Sequence, residues 1–232
     1  VSTAPILELD GVNAAYGPFR ALFGVSLVVP DGGSVALIGP NGSGKTTVAR
    51  VASGLIAPTR GTLRIGGEDL TGHPTWAIAR AGVLHAPEGR SVFATLTVEE
   101  NLVLGLDGEG DLERAFDLFP RLGERRTQLA GTLSGGEQRM LSLARVLASP
   151  PKLLIVDELS LGLAPIVVEE VYATLQRIRA EGTALLIIEQ HVRHALEVAD
   201  EAVILHHGRV AFTGPAEGLV ERADLLSGGL DG

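Results

Sequence analysis

Apolar and polar positions along the chain change period repeatedly, from the alternation of strands to the three-and-four spacing of helices and back. Ile6–Leu9 and Val25–Val29 predict two antiparallel strands, with a turn at Ala15-Tyr16-Gly17-Pro18 between them. Ser34–Ile38 is a short apolar run that reads as a buried strand, followed by a glycine-rich loop and a helix over 47–52. Thr62–Ile65 and Val83–Ala86 predict two more strands, with a short helix from Pro74 to Ala81 between them. Thr97-Val98-Glu99-Glu100 is a capping box that opens a helix over 99–106. An exposed loop at 107–111, a helix at 112–119, a polar connector over 121–132 and a helix at 136–148 follow.

Strands and helices then alternate. Leu153–Glu158 is an apolar strand ending in two carboxylates. Pro165 starts a helix whose apolar positions Val168, Val171, Tyr172, Leu175 and Ile178 keep helical spacing. Thr183–Glu189 is nearly all apolar, as expected of a parallel-sheet strand. A helix at 191–199, a hairpin of 202–205 and 210–213 turning at His207-Gly208, and a last helix at 215–221 complete the pattern. The prediction is one α/β domain over residues 1–232, with a mixed sheet core, an antiparallel β subdomain and a helical subdomain inserted at about 99–148.

Composition narrows the function. The 232 residues are 45% apolar, enough for a sizeable core. A mean hydropathy of +0.27 fits a core-rich α/β domain or one whose apolar surface a partner covers. The net charge of −9, with basic residues only in short groups, argues against nucleic acid as a partner. There is no cysteine, so disulfides, thiolate zinc sites and thiol chemistry are excluded. No apolar run approaches the length of a membrane span and no signal peptide is evident, so any work at a membrane is expected from its aqueous side.

Three stretches carry chemistry. Gly39-Pro40-Asn41-Gly42-Ser43-Gly44-Lys45-Thr46 has the P-loop form G-x-x-x-x-G-K-S/T between a strand and a helix. Its glycines let backbone N–H groups turn toward phosphate oxygens, and the following helix adds its positive N-terminal end. Lys45 would reach the β- and γ-phosphates, and the Thr46 hydroxyl would ligate magnesium. Asp157 and Glu158 close a buried strand and, as neighbours, point to opposite sides. One can hold magnesium while the other orients or deprotonates an attacking water. Leu133-Ser134-Gly135-Gly136-Glu137-Gln138 opens a helix either as a plain Ser134–Glu137 capping box or as a second anion site. Tyr16 is open between stacking on a nucleotide base and packing under its turn.

Gly39–Thr46, Leu133–Gln138 and Leu154–Glu158, in this order, resemble the ATP-binding cassette ATPases, whose signature LSGGEQ separates them from other P-loop proteins. The resemblance runs from Ile6 to about Gly208. It implies that Tyr16 stacks on adenine and that Gly39–Thr46 with Thr47 hold the phosphates. Thr46 and Asp157 are implied as magnesium-site residues and Glu158 as the catalytic carboxylate, with Lys45 beside it. Ser134, Gly135, Gly136 and Glu137 would meet ATP bound to an opposite subunit, so one chain would hold two incomplete half-sites. Cofactors implied are ATP and Mg2+.

Several positions depart from the family pattern. Glu88 stands where a glutamine that helps hold magnesium is expected, and a carboxylate is still a hard-oxygen ligand. Gln190 stands at the switch-histidine position, where it can donate to a γ-phosphate but cannot carry a proton. Ala164 replaces the usual aspartate in Ser160-Leu161-Gly162-Leu163-Ala164-Pro165, and Leu159 stands where proline often follows the catalytic glutamate. With Pro87-Glu88-Gly89-Arg90-x-Val92-Phe93 and Thr97–Leu102, these features resemble the ATPase subunits of branched-chain (hydrophobic) amino acid importers and related amide importers. That resemblance implies a peripheral ATPase at the cytoplasmic face of the membrane. Its partners would be integral permease subunits docked against Glu88–Phe93 and the helical insert, a second identical or different ATPase subunit, and an external solute-binding protein. A lipid-exporter ATPase and a soluble cassette protein are the alternatives.

Overall fold

The two longest strands, β1 (Leu7–Tyr16) and β2 (Phe19–Val29), pair antiparallel through a two-residue turn at Gly17-Pro18. They belong to the computed structural model of the chain, which describes residues 4–86, 92–104, 109–147, 150–160, 162–189 and 192–220. With β4 (Arg60–Ile65) and β5 (Glu68–Asp69) they form a four-stranded sheet ordered β2-β1-β4-β5.

The second sheet has six strands. Its order is β10 (Arg209–Pro215), β9 (Glu201–His206), β3 (Ser34–Ile38), β8 (Ala184–Glu189), β7 (Leu153–Asp157), β6 (Val83–Ala86). All but β10 run parallel. Every residue of β3, β7 and β8 is buried, because the sheet is covered on both faces. Successive side chains feed opposite layers. Val35, Leu37, Leu153, Ile155, Leu186 and Ile188 pack with α1 (Lys45–Ala52) and the antiparallel sheet. Ala36, Ile38, Leu154, Val156, Leu185 and Ile187 pack with α6 (Gly135–Leu147), α7 (Pro165–Ala180) and α8 (Val192–Val198).

The described residues between β6 and β7 are mainly helical: α3 (Val98–Val103), α4 (Glu109–Leu118), α5 (Pro120–Gly123), a 3-10 turn at Ala130–Thr132, and α6. The predicted capping box forms, with Glu100 N–H on Thr97 Oγ1 at 3.1 Å and Thr97 N–H on Glu100 Oε2 at 2.7 Å. Asn101, fully buried, ties the Phe93–Thr97 segment to α3 by accepting from Phe93 N–H and donating to the Phe93, Leu96 and Thr97 carbonyls. Short helices α2 (Thr75–Arg80) and α9 (Glu217–Val220) complete the fold. Among the described residues no helix is long and apolar enough to cross a membrane.

Four expectations change. Tyr16 ends a strand instead of sitting in a turn, because the β1–β2 pairing runs on through Ala14 opposite Leu22 to Tyr16 opposite Phe19. α4 begins at Glu109, inside the expected loop, where packing of Ala115, Phe116 and Leu118 outweighs the helix-weakening Gly110. The polar connector contains one helical turn, α5, opened by Pro120 and anchored by fully buried Leu122. The two-residue β5 is too short to leave a sequence pattern. Phe116 and Phe119 are core residues, as helical spacing suggests for Phe116, while Phe93 is half exposed.

Candidate functional site

β3 lies between β9 and β8, and its C-terminal end runs through Gly39–Thr46 into α1. Ligands of open parallel sheets bind at such strand ends. A Cβ at Gly39 would lie 2.2 Å from the Leu205 carbonyl oxygen, so only glycine fits there. Gly44 takes φ 104° just before α1, a conformation that other residues rarely adopt. The loop is also held from far along the chain, since Gly208 N–H in the β9–β10 turn donates to the Ser43 carbonyl at 2.8 Å. The Ser43 hydroxyl is buried with no hydrogen-bond partner among the described residues.

Lys45 is buried, and its Nζ donates to the carbonyls of Gly39 at 2.7 Å and Pro40 at 3.1 Å. Burial pulls its pKa below the ordinary lysine value, and the negative charges of Glu158, Asp157 and Glu189 only partly oppose that. The cation therefore sits in a field of three carboxylates at the ends of β7 and β8. Thr46 Oγ1 stands 3.5 Å from Asp157 Oδ1.

The turn after β7 is clamped. Glu158 has φ 49°, unusual for a residue with a side chain. Its N–H donates to the Ile188 carbonyl at 2.9 Å. Buried Arg139, on α6, donates from Nη2 to the Asp157 carbonyl at 3.2 Å and the Glu158 carbonyl at 2.9 Å. The helix carrying the LSGGEQ stretch thus braces the strand end carrying the carboxylates.

Tyr16 is partly exposed and stands over α1. Its hydroxyl lies 3.4 Å from Thr47 Oγ1 and accepts from Arg50 Nη1 at 3.1 Å. Beside Gly42, Arg20, Phe23, His207 and Arg209 help line a cleft of about 510 Å³. Arg20 and Arg209 both stack on the Phe23 ring, at 5.5 and 5.2 Å from its centre. They place positive charge beside the loop in a chain whose net charge is −9.

At the start of α6 the capping-box reading holds: Glu137 N–H donates to Ser134 Oγ at 3.3 Å, and Ser134 N–H to Glu137 Oε2 at 2.8 Å. Burial pushes the Glu137 carboxyl up, but the Ser134 hydrogen bonds and Arg125, 3.0 Å away, hold it below its ordinary value. Gly136 has a packing reason as well, because a Cβ there would stand 3.2 Å from Val167 at the start of α7.

The predicted residues thus fall into two groups. Tyr16, Gly39–Thr47, Asp157 and Glu158 gather around one set of strand ends. Ser134–Glu137 form a separate helix start, joined to that set through Arg139. Glu88 and Gln190 lie outside the described residues, as does the whole of 87–91. Sequence reasoning missed Arg50, Arg139 and Glu189. Arg139 is signalled by its place among Met140, Leu141 and Leu143, and Glu189 by ending an all-apolar run. Arg50 leaves no such signal.

The arrangement fits a nucleoside triphosphate with a hard divalent cation. The backbone cradle, buried Lys45 and unpartnered Ser43 hydroxyl match phosphate oxygens, and the Tyr16 ring offers a platform for a base. Thr46 and Asp157 bring two oxygen atoms together that could ligate such a cation. Among the described residues no cluster of three or more His, Asp or Glu side chains that could hold a metal occurs.

Comparison with known proteins agrees with this geometry. Residues 22–160 match the family model described as ABC transporter. The chain is 43% identical to the high-affinity branched-chain amino acid transport ATP-binding protein BraG of Pseudomonas aeruginosa, over 89% of this chain and 91% of that protein. It is 34% identical to the lipopolysaccharide export system ATP-binding protein LptB of Haemophilus influenzae, over 91% of both chains. A crystal structure of an ATP-binding cassette of an ABC transporter in its ADP conformation superposes with a TM-score of 0.85, at 25% identity, covering 98% of this chain and 100% of that one.

Proposed function

Because the chain belongs to the ABC transporter family, as one of its ATP-binding ATPases, we propose that it drives import of branched-chain or similar hydrophobic amino acids, or related amides. The observation that carries this reading is 43% identity to BraG across nearly the whole of both proteins. It works at the cytoplasmic face of the membrane against permease subunits, with a second ATPase subunit and an external solute-binding protein.

Tyr16 stacks on adenine. Gly39–Lys45 wrap the phosphates, with Thr47 beside them. Thr46 and Asp157 hold magnesium, which supplies charge neutralisation on the phosphates. Lys45 keeps the terminal phosphates in line, and Glu158 orients and deprotonates the attacking water. Ser134–Glu137 present their helix start to the nucleotide of the opposite subunit. Glu88 and Gln190 keep the roles that family resemblance assigns: a magnesium-side ligand and a γ-phosphate donor.

Loss of the gene from its host should abolish high-affinity uptake of labelled leucine, isoleucine and valine, and the wild-type chain should restore it. Unchanged uptake with a defect in surface lipid would favour the export reading that similarity to LptB supports.

Tyr16→Ala tests the base platform separately. Base–aromatic stacking contributes about 1–3 kcal/mol, so KM for ATP should rise about tenfold while kcat stays within about twofold. An unchanged KM would remove Tyr16 from the site.

A further inference from the structure

Glu189 is a buried carboxylate at the end of β8, only 1% exposed, and the catalytic assignment above leaves it without a role. Ser160 binds both of its oxygens. Ser160 N–H donates to Oε1 at 3.0 Å and Ser160 Oγ–H to Oε2 at 2.9 Å. Ser160 lies two residues beyond Glu158, in the turn that leaves the end of β7. Glu158 itself is held at φ 49° by its N–H on Ile188 and by Arg139 on its carbonyl. Backbone in that region persists only where its surroundings over-determine it. The Ser160–Glu189 pair is the restraint on the downstream side.

The chemistry of the pair is specific. Both Ser160 groups act as donors, and an ionised carboxylate accepts on both oxygens. Buried Tyr172 of α7 stands beside the same group. Its hydroxyl is raised well above the ordinary tyrosine value, first by burial and then by the Glu189 negative charge. A buried charge in so apolar a strand is costly unless it is well bonded.

We infer that Glu189 is a positioning residue: by binding Ser160 through both carboxylate oxygens it fixes the turn after Glu158 and so aims the Glu158 side chain. The inference rests on the reading that Glu158 acts on the attacking water. A merely structural Glu189 would affect folding and nucleotide affinity together. A positioning Glu189 affects turnover at constant affinity, because misplacing a catalytic group by about 1 Å can cost on the order of a hundredfold.

The test uses the full-length chain with Mg-ATP and four variants. Glu189→Ala should lower kcat at least about tenfold with KM for ATP within about twofold. Glu189→Gln should lose only about threefold, since its amide oxygen still accepts from Ser160 N–H and its NH2 can donate to the reversed Ser160 hydroxyl. Ser160→Ala, at a partly buried position, should lower kcat about fivefold even if Glu189→Ala fails to fold. Hydrogen exchange over 158–164 should quicken in Glu189→Ala and Ser160→Ala and stay unchanged elsewhere. Wild-type kcat in Glu189→Ala or Ser160→Ala overturns the inference. So does a parallel fall of kcat, nucleotide affinity and melting temperature in which Glu189→Gln is as impaired as Glu189→Ala. Glu158→Gln separates the two levels. If it keeps full turnover, the catalytic reading fails; if it is inactive while Glu189→Ala is fully active, only the positioning role fails.

Discussion

Lys45→Ala loses ATP binding and turnover together. The ammonium is buried in the loop, bonded to the Gly39 and Pro40 carbonyls, and faces the acidic ends of β7 and β8. These bonds hold the loop closed on itself, and in the proposed nucleotide site the same donors would turn to phosphate oxygens. Hydrogen bonds to charged groups contribute about 1.5–3 kcal/mol each, so losing two of them lowers affinity by on the order of a hundredfold or more. The alanine also takes the lysine donor from the Gly39 and Pro40 carbonyls, of which Pro40 keeps Ser43 N–H, and removes a positive charge that offsets Glu158, Asp157 and Glu189, which works against an anionic ligand. Titration with a fluorescent ATP analogue and a phosphate-release assay give both quantities. Unchanged ATP affinity would remove Gly39–Thr46 from the nucleotide site.

Glu158→Gln has the opposite signature: binding is kept and turnover falls. A positioned general base contributes about 10²–10⁴-fold, and glutamine keeps the shape while giving up the basic oxygen. The backbone anchors to Ile188 and Arg139 do not involve the side chain, so φ 49° at this position survives the change. Blocked hydrolysis should also trap two chains around ATP, visible as a dimer in size-exclusion chromatography with Mg-ATP. Retained turnover would remove Glu158 from the role of base. A variant that binds ATP yet stays monomeric would point to a different ATPase subunit as its obligatory partner.

Much of this site was legible in the sequence because its determinants are local. A glycine-rich loop between Ser34–Ile38 and a helix defines its own geometry. The run ending in Asp157-Glu158 announces a buried strand with acids at its open end. The spacing around Val168, Val171 and Tyr172 reports one face of α7. What stayed hidden depends on which side chains meet across the fold. Arg139 stands in an apolar run of its helix, but its bonds to the Asp157 and Glu158 carbonyls follow only from the packing of α6 against the end of β7. Glu189 and Ser160 are far apart in sequence, and nothing in either stretch names the other. Tyr16 was placed in a turn because Gly17-Pro18 dominates the local pattern, whereas the hairpin pairing carries the strand through it. Family resemblance raised Tyr16 as a base platform; the Thr47 and Arg50 contacts of its hydroxyl fix its orientation over α1.

The P-loop strand has neighbours made long after it. β3 pairs with β8, Ser34 opposite Leu185, and with β9, Val35 opposite Glu201, and the Ser43 carbonyl is anchored by Gly208. On the ribosome, then, the nascent chain carries the whole glycine-rich loop long before it can be shaped. Contacts of such high sequence separation belong to slow-folding topologies, on the order of milliseconds to seconds. ATP capture therefore waits for the β9–β10 hairpin, and a translation product cut short before it would lack a formed phosphate cradle even though every residue of the motif is present.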